Sequence, residues 1–121
     1  IRHYAAEYFD HTPVRLKITT PDNIPHLPIR NENRRNIFYS VKEALHNIIK
    51  HAKATEAKLD FSLQKDEVSV IIRDNGIGMP KGELNPFGNG LKNMRHRMMS
   101  IKGAMNIENH KGTKITLTMP V

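Results

Sequence analysis

The chain has 121 residues, 38% hydrophobic and 26% charged, the size and balance of one globular domain rather than a disordered segment. It has no cysteine, which excludes a disulfide scaffold, thiolate catalysis and cysteine-ligated metal sites. Nineteen Lys and Arg against twelve Asp and Glu leave a net charge of +7, which suits nucleic acid, an anionic membrane surface or a phosphate-bearing small molecule.

The basic residues run from Arg2 to Lys114 with Arg34-Arg35 as the only adjacent pair. The three Tyr and four Phe form no RNA-binding aromatic motif, so no nucleic-acid partner is expected. No run reaches the ~18 apolar residues of a membrane span, and no signal-peptide pattern opens the chain. A soluble piece of something longer is expected, since it begins at Ile1 rather than Met.

In chain order, Ile1 to Phe9 carries a short amphipathic signal, and Val14, Leu16 and Ile18 alternate as in a strand. Pro21, Pro25 and Pro28 hold the next stretch extended. Asn33 or a neighbour is expected to cap a long helix running to about Ala54. Ala57, Leu59, Phe61 and Leu63 alternate with polar residues, the pattern of a strand with one wet face. Lys65-Asp66 reads as a tight turn into Val68, Val70 and Ile72, its antiparallel partner. Leu91, Met94, Met98 and Ile101 fall at helical spacing, and Gly103 is expected to end that helix. Met105-Ile107 and then Ile115, Leu117 and Met119 read as a final hairpin. The methionines are read as core packing. This order predicts an α+β fold: a two-layer sandwich whose mixed, mostly antiparallel sheet of about five strands is covered on one face by about three helices.

Four groups of residues are candidates for chemistry. On the long helix, Ile37, Val41, Ala44, Leu45, Ile48 and Ala52 form an apolar face. Glu43, Asn47, Lys50 and His51 fall on the opposite side, either as an ordinary solvated face or as oxygen ligands for a hard metal with positive charge for phosphates. Asp74-Asn75-Gly76-Ile77-Gly78 follows a strand, as a hairpin turn or as a fixed carboxylate for a base amino group. Against the plain turn, Gly78-Met79-Pro80 breaks any returning strand. Gly88-Asn89-Gly90-Leu91 opens the last helix, where free amides attract phosphate. Lys111-Gly112-Thr113-Lys114 opens the final strand. All seven glycines lie beyond residue 75, five of them between positions 76 and 90.

Taken in order and spacing, these groups resemble the histidine-kinase ATPase domain. Residues 43–52 are similar to its N box, Asp74 to Met79 to its G1 box, Gly88 to Leu91 to its G2 box and Gly112-Thr113 to its last glycine box. Gly90-Leu91-Lys92-Asn93-Met94-Arg95-His96-Arg97 resembles the helix of the subclass that contains nitrate and lipid-fluidity sensors.

The resemblance covers about residues 10 to 121 and implies the Bergerat ATP-binding sandwich in a single domain, with residues 1–10 as the end of a linker. It implies that Asn47 coordinates Mg²⁺ and that Lys50 and His51 lie near the phosphates. Asp74 would accept the adenine amino group, with Gly76, Gly78 and Thr113 shaping the base pocket. Met79 to Asn89 would form the ATP lid, including Phe87, with Gly88, Asn89, Gly90 and Leu91 at the phosphate end. Asn89 departs from the family, where His is common. Glu43 would orient the metal or the accepting imidazole.

The implied reaction moves the ATP γ-phosphoryl to a histidine on a separate dimerisation domain, and from there to a response regulator. None of the seven histidines precedes Asp or Glu, so the acceptor is expected outside this chain. The whole protein is expected to be a homodimeric inner-membrane sensor with this domain in the cytoplasm. Two other readings stand beside it: a serine kinase of the anti-sigma-factor type, and a non-catalytic nucleotide-binding regulator. The Met94-Arg95-His96-Arg97 helix argues against the first, and the presence of Asn47, Asp74 and the lid glycines against the second.

Overall fold

The computed structural model describes residues 7, 9–10, 12–19, 29–64, 66–77, 90–109 and 111–120. Five strands form one sheet: β1 (Arg15–Thr19), β2 (Glu56–Gln64), β3 (Glu67–Asp74), β4 (Ala104–Asn109) and β5 (Thr113–Pro120), in spatial order β1-β2-β3-β5-β4. β1 pairs with β2 in parallel, and every other pairing is antiparallel. The expected mixed, mostly antiparallel sheet of five strands is the one observed.

Strand alternation sorts the side chains into rows across the sheet, because registered partners share a face. Ile18, Leu59, Ile72, Ile115 and Ile107 stand in one such row, spanning all five strands. Phe61, Val70, Leu117 and Met105 form the next. β-branched and long aliphatic side chains suit this pleated surface, and Leu59, Ile72, Val70 and Leu117 are almost fully buried.

Two helices lying wholly within the described residues cover this face: α1 (Asn31–Asn47) and α2 (Gly90–Ser100). The core cluster takes Ile37, Val41, Ala44, Leu45 and Ile48 from α1 and its extension, and Met94, Met98 and Ile101 from α2 and its C-terminal end. This is the apolar face read from the sequence; the side chain of Ala52 lies outside the described residues. Three helices were expected. Most of the first, Ile1 to Phe9, lies outside the described residues, although Phe9 is buried in the core. The Pro21, Pro25 and Pro28 stretch and Lys65 of the expected turn also lie outside.

Three local expectations are corrected. Asn33 is not the cap of α1. The N-cap is Arg30, extended at φ −62° and ψ 146° and without a side-chain cap bond, and Arg34 Nε donates to the Ile29 carbonyl at 3.1 Å. The helix is not regular to Ala54 either: after Asn47 it widens into a π-helical turn, Ile48–Ala52, stopped by Lys53 in the left-handed region at φ 52°. Met99 is 66% exposed and not core; the other described methionines are buried.

The end of α2 shows a different glycine logic from the one expected. Lys102, at φ 61°, takes the left-handed position, and its N–H donates to the Met99 carbonyl at 3.1 Å. Gly103 N–H donates to the Met98 carbonyl at 2.7 Å, completing a Schellman motif. Gly103 is needed for close approach: a Cβ there would collide with the Thr118 carbonyl oxygen and meet Met98 at 3.1 Å. Gly103→Ala is expected to destabilise the fold by about 1–3 kcal/mol through overpacking. Lys102→Gly is expected to be neutral or stabilising, because the left-handed penalty falls on the lysine. Urea unfolding of both variants checks the assignment, which reversed effects would overturn.

Candidate functional site

The inward face of the sheet changes character at one end. Beyond the Ile72 row the next registered row reads Leu16, Ala57, Asp74, Thr113 and Asn109. Polar side chains thus enter the face at Asp74, the last residue of β3, and at its partner Thr113, the first of β5. Thr113 is buried and Asp74 is half-buried.

Gly76 N–H donates to Asp74 Oδ1 at 2.8 Å, closing an Asx turn that aims the carboxylate. Burial pushes the Asp74 carboxyl above the usual carboxylate range, and backbone hydrogen bonds from Gly76 and Thr113 pull it partly back. A desolvated carboxylate with lone pairs still open is a strong acceptor for one specific donor.

The loop before β5 reaches this carboxylate only because residue 112 is glycine. Gly112 sits at φ 123°, and a Cβ there would collide with the Asp74 carbonyl oxygen and come within 2.9 Å of its carbon. Lys111, at φ 52°, makes the turn before it. A cavity of about 360 Å³ opens beside this end of the sheet, lined by Arg73, Asp74, Glu108, Lys111, Thr113 and Lys114.

Asn75, given no role by the sequence reasoning, ties the loop down. Its Oδ1 accepts the N–H groups of Thr55 and Glu56, both at 2.9 Å, and its Nδ2 donates to Thr55 Oγ1 at 2.8 Å. Its own N–H donates to the Glu56 carbonyl at 3.2 Å, and Arg15 N–H donates to the Thr55 carbonyl at 2.9 Å. One side chain thus joins the loop after β3 to the chain leaving the π turn, and the Thr55 backbone joins that chain to the edge strand β1. The available signal was the Asn-Gly pair after a strand; the long-range partner was not visible in it.

On α1 the expected solvated face is only partly so. Lys50 is exposed and Glu43 half-buried, but Asn47 is buried, 7% exposed, and its Nδ2 has no hydrogen-bond partner among the described residues. Ser40, seven residues earlier, is also fully buried, and its hydroxyl has no partner among the described residues. Seven residues return a helix to within about 20° of the same direction, so both lie along one edge of the apolar stripe rather than opposite it. The π turn then displaces Lys50 from the regular helical spacing that grouped it with Glu43.

The structure gathers Asp74, Gly76 and Thr113 at the sheet end, while Glu43, Asn47 and Lys50 stand on the helical layer. Gly78, Met79, Gly88 and Asn89 lie outside the described residues, as does the side chain of His51. Gly90 begins α2, and Leu91 packs against the core cluster. Arg95 and Arg97 of the same helix make structural contacts. Arg95 donates to the Met105 carbonyl at 3.3 Å, and the Arg97 guanidinium lies 4.8 Å over the Tyr39 ring of α1.

Known proteins resemble this chain in sequence and in fold. The chain is 43% identical over 85 residues to the sensor histidine kinase YvfT of Bacillus subtilis, covering 70% of this chain and 22% of that kinase. It is 36% identical over 102 residues to the sensor histidine kinase DesK of the same organism, covering 83% of this chain and 26% of that protein. The chain therefore spans about a quarter of the length of these curated relatives. In three dimensions it resembles the Erythrobacter litoralis EL346 blue-light activated histidine kinase, with a TM-score of 0.80 at 17% identity, covering 98% of this chain and 40% of that one. That likeness carries the fold. Residues 32–121 match the family model described as histidine kinase-, DNA gyrase B- and HSP90-like ATPase, and the chain belongs to that ATP-binding family, homologous to the catalytic domains of sensor histidine kinases.

Proposed function

We propose that this domain binds Mg-ATP and transfers its γ-phosphoryl group to a histidine on a separate dimerisation domain, with a response regulator as the next acceptor. The observation that carries the reading is the Asp74 carboxylate, desolvated and held by Gly76 and Thr113 beside a glycine that lets the backbone close around it. Asp74 accepts the exocyclic amino group of adenine, and Gly76, Gly78 and Thr113 shape the base pocket. Met79 and the Gly88, Asn89, Gly90, Leu91 segment close over the nucleotide, and Lys50 and His51 face its phosphates.

The buried Nδ2 of Asn47, without a partner among the described residues, can donate to a phosphate oxygen that arrives with the substrate, which leaves Oδ1 of the same carboxamide for the metal. Among the described residues no group of three or more His, Asp or Glu could hold a metal alone. One carboxamide oxygen, with substrate phosphates and water completing the shell, suits Mg²⁺, which keeps several waters and shares its ligands with phosphate. Bound there, Mg²⁺ would neutralise phosphate charge. Glu43, one turn before Asn47, orients the incoming imidazole. That nitrogen attacks the γ-phosphorus as the bond to the ADP oxygen breaks, leaving phosphohistidine and ADP. The relatives' names support a kinase, and the whole protein is read as a membrane-anchored homodimer with this domain in the cytoplasm.

Thermal unfolding with and without Mg-ATP tests the reading. Ligand at about 100 times its dissociation constant adds roughly 2.7 kcal/mol, a shift of several degrees. The shift is expected in the parent and lost in Asp74→Asn with both ATP and ADP. In Asn47→Ala only the Mg²⁺-dependent part is expected to disappear. No shift in the parent at millimolar nucleotide overturns the reading.

The ligand-free proteins give a second test. Asp74 has a folded-state pKa above its unfolded one, so its contribution is present at low pH and lost as pH rises through the raised value. Asp74→Asn carries no such group. Its stability relative to the parent is therefore expected to increase from about pH 4 to neutrality, read from melting curves across that range. Asn75→Ala separates brace from ligand: it is expected to cost about 1–3 kcal/mol of stability without nucleotide, where Asp74→Asn costs little.

A further inference from the structure

The outward face of the sheet carries a cationic row that starts at the edge strand, away from the candidate site, and reaches the cavity beside Asp74 only at Arg73 and Lys114. Lys17 pairs with Lys58, Lys58 with Arg73, Arg73 with Lys114, and Lys114 with Glu108 across the five strands. Four cations thus stand side by side on four adjacent strands, and all point away from the helices. Lys17, Lys58 and Arg73 are exposed and have no ion-pair partner among the described residues. Lys114 reaches Glu108 only at 3.9 Å.

The nearest other carboxylates lie in the flanking outward rows. Glu56 is engaged by Arg15 at 3.0 Å, and Asp60 is registered with Thr19 and Ile71. Like charges directly opposite each other across a strand pair are destabilising, so this row works against the sheet that holds it. Lys111 adds a further cation where the cavity opens at the Arg73–Lys114 end.

We propose that this row is a docking surface for an acidic helix of a partner protein, one that presents carboxylates at one-turn spacing and lies across the strands. The fit is geometric as well as electrostatic. Four cations on adjacent strands span about 14 Å, at about 4.8 Å per step. Four carboxylates on successive helical turns span about 16 Å. Each carboxylate then meets one cation, with the Arg73 guanidinium near the middle able to bind bidentately.

The surroundings disfavour other anions. No aromatic side chain occupies an outward position of the five strands, so single-stranded bases would find no stacking platform. Ile71 is the only large apolar side chain among those positions, which leaves little to insert into a bilayer.

The probe is a synthetic helical peptide with Glu at positions i, i+4, i+7 and i+11 on an Ala and Gln background. The control is the same composition with Glu spread around the helix. Fluorescence anisotropy at low salt is expected to show the striped peptide binding this chain about tenfold more tightly than the control. Lys17→Glu with Lys58→Glu is expected to abolish that preference, while Arg35→Glu on α1 leaves it intact. Amide shift mapping on the unmutated protein gives a readout independent of the variants, with changes expected along β1, β2, β3 and β5 rather than on the helices. Equal binding of both peptides, or shifts confined to the helical layer, overturns the proposal. Binding to phosphatidylserine vesicles that depends on Lys17 and Lys58, with no striped-peptide binding, also overturns it and assigns the row to a membrane.

Discussion

The pairing of Asp74 with Thr113 at the end of the β3–β5 ladder is the contact on which the candidate site depends. It is one rung of an eight-pair antiparallel register running from Glu67↔Pro120 to Asp74↔Thr113. The apolar rows behind it fix that register, since a slip of one residue would turn Val68, Val70 and Ile72 outward and Asp74 with them. The carboxylate is therefore positioned by the whole core. Gly112 permits the last rung to close, because any side chain there would drive the turn off the Asp74 backbone. Asn75 then locks the strand end to the chain entering β2. Core, turn and brace act on the same few atoms.

The polar groups of the site are a burden on the fold that carries them. A buried donor or acceptor left without a partner costs about 1–3 kcal/mol. Among the described residues Asn47 Nδ2 and Ser40 Oγ are both in that state on α1, and the Asp74 carboxyl is held in surroundings that disfavour its charge. An ordinary core would place aliphatic residues along that edge of the helix. The π turn after Asn47 is a further departure from the relaxed helix, and such turns occur frequently at functional sites. A ligand that binds only the folded state offsets these costs by mass action, which makes nucleotide occupancy and stability parts of one equilibrium.

Much of this was legible in the sequence because the signals were periodic. The alternation of Leu59, Ile72, Ile115 and their neighbours marks strands, and the 3.6-residue spacing of Ile37, Val41, Ala44 and Leu45 marks α1; both patterns report burial directly. What escaped depends on contacts between distant segments. Asn47 reads as polar and therefore wet, yet it lies at the rim of a stripe that the packed layers bury. Gly103 reads as the left-handed stop of α2, but Lys102 takes that conformation and the glycine answers to a carbonyl on β5. Asn75 reads as half of a turn dipeptide, and its partners lie 19 and 20 residues away. The basic row was hidden most completely. Lys17, Lys58, Arg73 and Lys114 are scattered in sequence and meet only through three registers.

The pleat that aims Asp74 inward also aims Arg73 outward, so site and cationic row are built from adjacent residues of the same strands. Thr113 and Lys114 repeat the arrangement on β5, and Ala57 and Lys58 on β2. Each strand thus contributes one residue to a row that faces the helices and the next residue to a row that faces solvent. Lys17 and Lys58 stand on the face away from Asp74, so changes at those two positions leave the packing around it in place. The backbone between the two faces is shared. A partner that clamps the outward row would stiffen the ends of β3 and β5, the two segments whose last rung holds the carboxylate. The same two strand ends thus serve both faces, Asp74 and Thr113 toward the helices and Arg73 and Lys114 toward solvent.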